Sequence, residues 1–318
     1  MTKEKICIAI DVGGTNLRFC LVDQAGRLLF KERQSTEINR GRDDFLARLY
    51  SSLDYLKKKG TAEGWQVVGI GVGVPGLISN EGLVYSSVNL QPLEGLNLRQ
   101  LICQATGLPT IVVNDANAWA WGEKCFGAGK GMASFLMLTL GTGVGSGLVL
   151  NDGLWTGVDG VAAEFGHATV EPEGRLCRCG NHGCLEQYSS ASAIVSATMD
   201  ALHRGGSSCL AHIPPAEITS AIIAEAAAKG DSLARSIFEQ AGRYLGIASA
   251  LVANLLNLDG IILGGGVAAS FDLIAQPMRR EIVARAFPIP ARRLKVIKSE
   301  LGDDAGILGA AAMAMASI

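Results

Sequence analysis

The sequence predicts an α/β protein of two domains around a cleft. Three observations carry that expectation. Short apolar strands alternate with helical stretches along most of the chain. Glycine clusters follow the strands. One strand–glycine turn–strand unit occurs twice, which marks two related halves.

The opening unit runs Ile6–Ile10, then Asp11-Val-Gly-Gly-Thr15, then Leu17–Asp23, a turn at Gln24-Ala-Gly26, and Leu28–Phe30. It reads as strand, turn, strand, turn, strand. Its copy is Phe135–Leu140, Gly141-Thr-Gly-Val-Gly-Ser-Gly147, Leu148–Leu150 and a turn at Asn151–Gly153. A single offset lays Gly14 on Gly141, Thr15 on Thr142, Leu21-Val22 on Leu148-Val149 and Gly26 on Gly153. Between the copies, Asp44–Lys59 has helical periodicity and is expected to stop at Gly60. Val67–Val74 reads as a buried strand ending at Pro75-Gly76. Leu98–Ala105 reads as a helix with Asn97 as N-cap. Ile111–Val113 reads as a strand running into Asn114-Asp115 and a helix. After an irregular segment, 154 to 187, helices dominate to about 257. Gly260–Leu263 is a strand opening onto Gly264-Gly-Gly266, and an Ala-rich helix follows Asp303-Asp304. The expected domains are 1–117 with 303–318, and 118–302, the latter holding a metal loop and a helical segment.

Composition excludes several classes. The 318 residues are 48% hydrophobic and 18% charged, enough for a sizeable core and too apolar for disorder. A net charge of −2 with scattered signs argues against nucleic acid and anionic lipid as partners. No apolar run approaches the ~20 residues of a membrane span. The N-terminus has no signal-peptide pattern, so the expected compartment is the cytoplasm. Of eight cysteines, Cys7, Cys20, Cys103, Cys125 and Cys209 read as isolated small hydrophobes. Cys177, Cys179 and Cys184 crowd together, which in a cytosolic chain points to metal.

Phosphates need backbone N–H groups at close range, which glycine allows. In a P-loop or dinucleotide fingerprint a helix follows the glycines; here a strand does. Two such hairpins, each with Thr after Gly, suit a polyphosphate held from both sides. Asp11 beside them suits a Mg²⁺ ion or its water, with turn capping as the alternative. Arg18 suits either a phosphate contact or the strand's solvent face.

Asp11-Val-Gly-Gly-Thr15, the second Gly-Thr-Gly turn and Gly264-Gly-Gly266 together resemble the actin-like ATPase (ribonuclease H-like) superfamily. Asn114-Asp115, Glu164-Phe-Gly-His167 and Cys177-x-Cys-Gly-x-x-Gly-Cys-Leu-Glu186 resemble the ROK family of sugar kinases and repressors. The resemblance spans nearly the whole chain. It implies ATP held by Asp11, Gly13, Gly14, Thr15, Asn16, Thr142 and Gly143, with adenosine near Gly264, Gly265 and Gly266. It implies Asp115 as general base and Gly76, Asn89, Asn114, Asp115, Glu164, His167 and Glu186 as hexose contacts. ATP, Mg²⁺ and a structural Zn²⁺ are the implied cofactors, and a homodimer or dimer of dimers the implied assembly. Three departures from the family pattern, Val88, Ala163 and Leu93-Glu94, leave the identity of the hexose open.

Cys177, Cys179 and Cys184 with one imidazole make a closed tetrahedral donor set, which suits structural zinc. Gly180 and Gly183 let so short a loop wrap an ion. His182 is the rival ligand; the family pattern and the tight loop both favour His167. A closed site does no chemistry, so the expected role is placement of Glu164, His167 and Glu186. The expected function is a glucokinase acting on the 6-hydroxyl. Fructose, allose and N-acetylhexosamine kinases are the alternatives within the family. A sugar-responsive repressor is disfavoured because only ten residues precede Asp11.

Overall fold

The structure, a computed structural model, describes residues 3–317. The chain forms two compact units. One comprises Met1–Gly131, Gly147–Ala163 and Glu300–Ile318; the other comprises Met132–Ser146 and Glu164–Ser299. In chain order the elements are β1 (Lys5–Val12), β2 (Asn16–Asp23), β3 (Leu28–Ser35), α1 (Arg42–Ala62), β4 (Gln66–Val74), β5 (Leu77–Ile78) and β6 (Val84–Ser86). Next come α2 (Leu98–Thr106), β7 (Thr110–Asn114), α3 (Asp115–Phe126), β8 (Phe135–Leu140), β9 (Val144–Leu150) and β10 (Gly153–Trp155). The remainder is α4 (Glu186–Ser189), α5 (Ala191–His203), α6 (Ser220–Ala228), α7 (Ser232–Leu256), β11 (Gly260–Gly264), α8 (Phe271–Arg285), α9 (Pro288–Arg293), β12 (Lys295–Lys298) and α10 (Ala305–Ala316).

The two five-stranded sheets have the orders β3-β2-β1-β4-β7 and β10-β9-β8-β11-β12. Position by position these are the same order, so the duplication seen as glycine turns extends to whole sheets. β1, β4 and β7 run parallel, as do β8, β11 and β12. β1–β2, β2–β3 and β9–β10 are antiparallel.

In the first unit, alternation along β1 sorts the faces. Ile6, Ile8 and Ile10 pack with Phe45, Leu49, Leu53 and Leu56 of α1. Ala9 faces the other way, with Cys20 and Val22, onto Ile307, Leu308 and Ala311 of α10. That second face is built of small residues so that backbones can meet. A methyl at Gly71 of β4 would stand 1.9 Å from the Ala310 carbonyl oxygen. One at Gly309 would stand 1.7 Å from the Ala118 oxygen of α3. α10 is buried over most of its surface, as an apolar helix with no polar stripe must be. α3 packs on α10 and lies whole in the first unit, whereas the expected boundary at 117/118 falls inside it.

α1 runs on to Ala62, past the expected stop at Gly60. Gly60 is there for packing: a methyl would lie 2.9 Å from Val67 Cγ2. The left-handed residue that ends the helix is Gly64, with φ +82°. Asn97 does cap α2, accepting the Gln100 N–H at 2.9 Å. Among the described residues, no helix is long and apolar enough to cross a membrane.

Gly309→Ala is expected to destabilise the protein by about 3 kcal/mol, the upper range for forced overpacking, read as the midpoint shift in urea unfolding.

Candidate active site

The first glycine turn is anchored through its carbonyls. The Thr36 hydroxyl donates to Gly13 O at 2.6 Å, the Thr36 N–H donates to Thr15 O at 2.9 Å, and Gly13 N–H donates to Asn16 O at 2.8 Å. The amides of Gly14 and Thr15 have no hydrogen-bond partner among the described residues, and both residues are exposed. Two successive open amides form an anion-binding concavity. The Asn16 side chain is engaged elsewhere, accepting from Arg33 at 2.9 Å.

β1 and β2 pair Asp11 with Arg18. Asp11 Oδ2 accepts from Arg18 Nε at 2.8 Å and Nη2 at 2.5 Å, and Arg18 Nη1 donates to Asp303 O at 2.8 Å. Arg18 is therefore not free on the strand's solvent face: it braces Asp11. Asp11 Oδ1 has no hydrogen-bond partner among the described residues.

Asn114 is the N-cap of α3. Its Oδ1 accepts Asn117 N–H at 3.1 Å, and its Nδ2 donates to Gly76 O at 2.9 Å. Asp115 is the first helical residue, where the positive end of the peptide dipoles favours an ionised carboxylate. Its Oδ1 accepts the Ala116 N–H at 2.9 Å. Gly73 lies near both residues: a methyl there would meet Asp115 Cα at 3.7 Å and Asp11 Oδ1 at 3.9 Å. Gly76 takes φ +116°, and a methyl would lie 2.2 Å from Ser86 O. The loop bearing Asn89 is held by Glu94, which accepts Ser87 N–H at 2.9 Å, and by the Ser87 hydroxyl on Pro75 O at 2.7 Å. Asn89 Cβ lies 3.1 Å from the place of a Gly14 methyl. So Asp11, Gly14, Gly76, Asn89, Asn114 and Asp115 gather at the C-terminal ends of β1, β4 and β7, where α/β sheets collect ligand groups.

The second unit holds the other half of the expected set. Ligand atoms of His167, Cys177, Cys179 and Cys184 all lie within 4.8 Å of one another. Cys177 Sγ is 3.6 Å from His167 Nδ1, and Cys179 Sγ is 3.6 Å from Cys184 Sγ. The sulfurs are too far apart for a disulfide. They match the edge of a tetrahedron with ~2.3 Å metal–sulfur bonds, about 3.8 Å. Asn181 and Gln187 each donate to a cluster sulfur at 3.6 Å, an outer shell the spacing did not reveal. His182 is exposed and outside the cluster. The four residues could hold a metal ion.

Nδ1 of His167 faces the cluster, which leaves Nε2 for another partner. Desolvation holds the Glu164 carboxyl above its ordinary range; His167 pulls it down and Glu186 pushes it up. The three side chains are thus in electrostatic reach of one another. The second glycine turn lies among them. Glu186 Oε2 accepts Val144 N–H at 3.0 Å, and Ser146 Oγ accepts Phe165 N–H at 3.0 Å. The amides of Thr142 and Gly143 have no partner among the described residues, as in the first turn. Gly265, at φ +82°, lies against Leu140, so Gly264–Gly266 adjoins this turn.

A family model described as the ROK family matches residues 7–317. The chain is 34% identical over 316 residues to the glucokinase of Thermotoga maritima, covering 98% of each. Among solved structures it is similar to a ROK family glucokinase from Streptomyces griseus in complex with glucose and AMPPNP. There the TM-score is 0.81 at 33% identity, over 98% of this chain and 99% of that one. A ROK family transcriptional regulator, a homolog of the E. coli MLC protein, superposes with TM-score 0.90 at 32% identity, over 98% of this chain and 78% of that one.

Ala163, just before Glu164, holds φ +67°, a region costly for a residue with a Cβ. Ala163→Gly is expected to raise stability by roughly 0.5–1 kcal/mol, read by urea unfolding.

Proposed function

The chain belongs to the ROK family, and on that footing we propose that it is an ATP-dependent hexose kinase whose first acceptor is the 6-hydroxyl of glucose. One observation carries the reading. The Asp11 carboxylate and the backbone of Asp115 both lie near Gly73, beside a glycine turn with two open amides, a gathering of acidic residues and donors of the kind phosphoryl transfer uses.

In the proposed reaction the hydroxyl oxygen bonds to the γ-phosphorus as the bond to the bridging oxygen breaks and ADP leaves. The hydroxyl proton goes to the Asp115 carboxylate. An ordinary carboxylate, with pKa ~4, cannot strip an alcohol in the ground state. It does not have to: the transition state is loose, and the hydroxyl becomes acidic only as its new bond forms. Asp115 orients the hydroxyl and takes the proton late. Asn89, Asn114 and Gly76 direct the neighbouring hydroxyls, Asn114 through its remaining Nδ2 hydrogen.

The donor set around Asp11 fits Mg²⁺, which keeps most of its waters and takes one or two carboxylate oxygens. The open Oδ1 of Asp11 is the oxygen that would hold it or its water, and Arg18 on Oδ2 keeps that oxygen aimed. When bound, magnesium neutralises charge on the transferring phosphates. The amides of Gly14, Thr15, Thr142 and Gly143 hold phosphate oxygens, and Gly264–Gly266 the adenosine. His167, Cys177, Cys179 and Cys184 fit Zn²⁺. Zinc there closes the loop and supplies no chemistry; Glu164, Nε2 of His167 and Glu186 contact the hexose.

A second reading, a sugar-responsive regulator, is supported by the close superposition on the transcriptional regulator. Turnover separates the two: ADP release with glucose, fructose, mannose, allose and N-acetylhexosamines, read as kcat/KM, is expected to favour glucose. Absence of turnover with every sugar would leave the regulator.

Asp115→Ala is expected to lower kcat by about 10³-fold with glucose affinity by calorimetry near wild type; near-normal turnover would refute the base. Cys179→Ser is expected to lose about one equivalent of zinc by elemental analysis and to weaken glucose binding. Unchanged glucose affinity in the metal-free variant would refute the placement role.

A further inference from the structure

Glu186 has two carboxylate oxygens in different situations. Oε2 accepts the N–H of Val144 at 3.0 Å, the first residue of β9. Oε1 has no hydrogen-bond partner among the described residues. The carboxylate lies hard against the turn: a methyl at Gly143 would stand 2.3 Å from Oε2. Neighbours of Glu186 in the chain hold the same turn from the same side. Ala191 N–H donates to Gly141 O at 2.7 Å, and the Ser192 hydroxyl donates to Thr142 O at 2.9 Å.

The 186–192 segment therefore fixes two carbonyls and one N–H of the turn. What remains open is the pair of amides at Thr142 and Gly143. A hydrogen bond to an ionised group is stronger than one between neutral groups. Without it the peptide after Gly143 is held in the turn only by the bond from Gly141 N–H to Gly143 O at 3.0 Å, and glycine adds little restraint of its own.

We propose that Glu186 is a positioning residue for the phosphate donor: Oε2 holds the second glycine turn in the shape that presents its amides, while Oε1 serves the hexose. This rests on the reading that the glycine turns bind nucleotide phosphates. One side chain then answers to both substrates.

The test is nucleotide binding with no hexose present. Magnesium-ADP is titrated by calorimetry into wild type, Glu186→Ala and Glu186→Gln, each checked for zinc content and thermal unfolding. Glu186→Ala is expected to raise the Kd roughly tenfold, the scale of one charge-assisted hydrogen bond. Glu186→Gln keeps an acceptor for Val144 N–H and removes a negative charge near the phosphates, so its Kd is expected within about threefold of wild type or tighter. Gly143→Ala, which drives a methyl into the carboxylate, is expected to copy the loss without touching Glu186. Equal affinity in wild type and Glu186→Ala would overturn the positioning role and leave the kinase reading intact. No binding by wild type would overturn the reading of the turns, and this inference with it.

Discussion

At Gly309 the backbone of α10 comes so near α3 that a methyl would stand 1.7 Å from the Ala118 oxygen. At Gly122, on the facing helix, it would stand 2.1 Å from the Ala305 oxygen. This reciprocal approach is possible only where both residues lack a side chain. α10 in turn lies on β4, where Gly71 makes the same allowance for Ala310. The result is a rigid stack of sheet, α10 and α3, with Asp115 on the first turn of the last member. A catalytic carboxylate has to be held to within a fraction of an ångström. Side chains interdigitating at ordinary helix spacing leave more freedom than backbone on backbone. The alanines and glycines of α10 set the position of the proposed base from behind.

The second unit uses the same device for another purpose. A methyl at Gly166 would stand 2.0 Å from Val144 O, and one at Gly265 would stand 2.7 Å from Leu140 O. Here absent side chains bring binding segments onto a turn. The matched strand orders of the two sheets put both turns after the strand at the same position in each order, β1 and β8. Duplication supplied two equivalent turns. The loops hung on them then diverged: one set carries Asp115 and Asn89, the other the metal loop and Glu186.

Features written in consecutive residues were legible in the sequence. Cys177, Cys179 and Cys184 cluster with one histidine, His167, as expected. The caps at Asn97 and Asn114 follow from the residue at a strand or loop end and the helix after it. What pairing across the fold decides was not legible. Gly60 looks like a helix stop, yet its reason is Val67 on a neighbouring strand. Arg18 has its partner because β1 and β2 register Asp11 opposite it. Glu186 and Val144 are 42 residues apart, and no periodicity connects them. Asn114, which the resemblance implies as a hexose contact, caps α3 and also donates to Gly76 O.

Val144 shows how the proposed metal, without chemical work of its own, would bear on the proposed phosphate turn. Its N–H is held by Glu186, and its carbonyl oxygen lies against Gly166. Glu186 is two residues beyond Cys184, and Gly166 is the residue before His167. Cys184 and His167 are both members of the metal cluster. Leu185 N–H also donates to Ala168 O at 2.9 Å, so the two arms are joined directly beside these residues. A metal held by His167 and Cys184 would help to set the separation of these arms, both of which meet Val144. In the proposed reading the cluster would bear on the phosphate turn by the same route as on the hexose contacts, because Glu186 serves both.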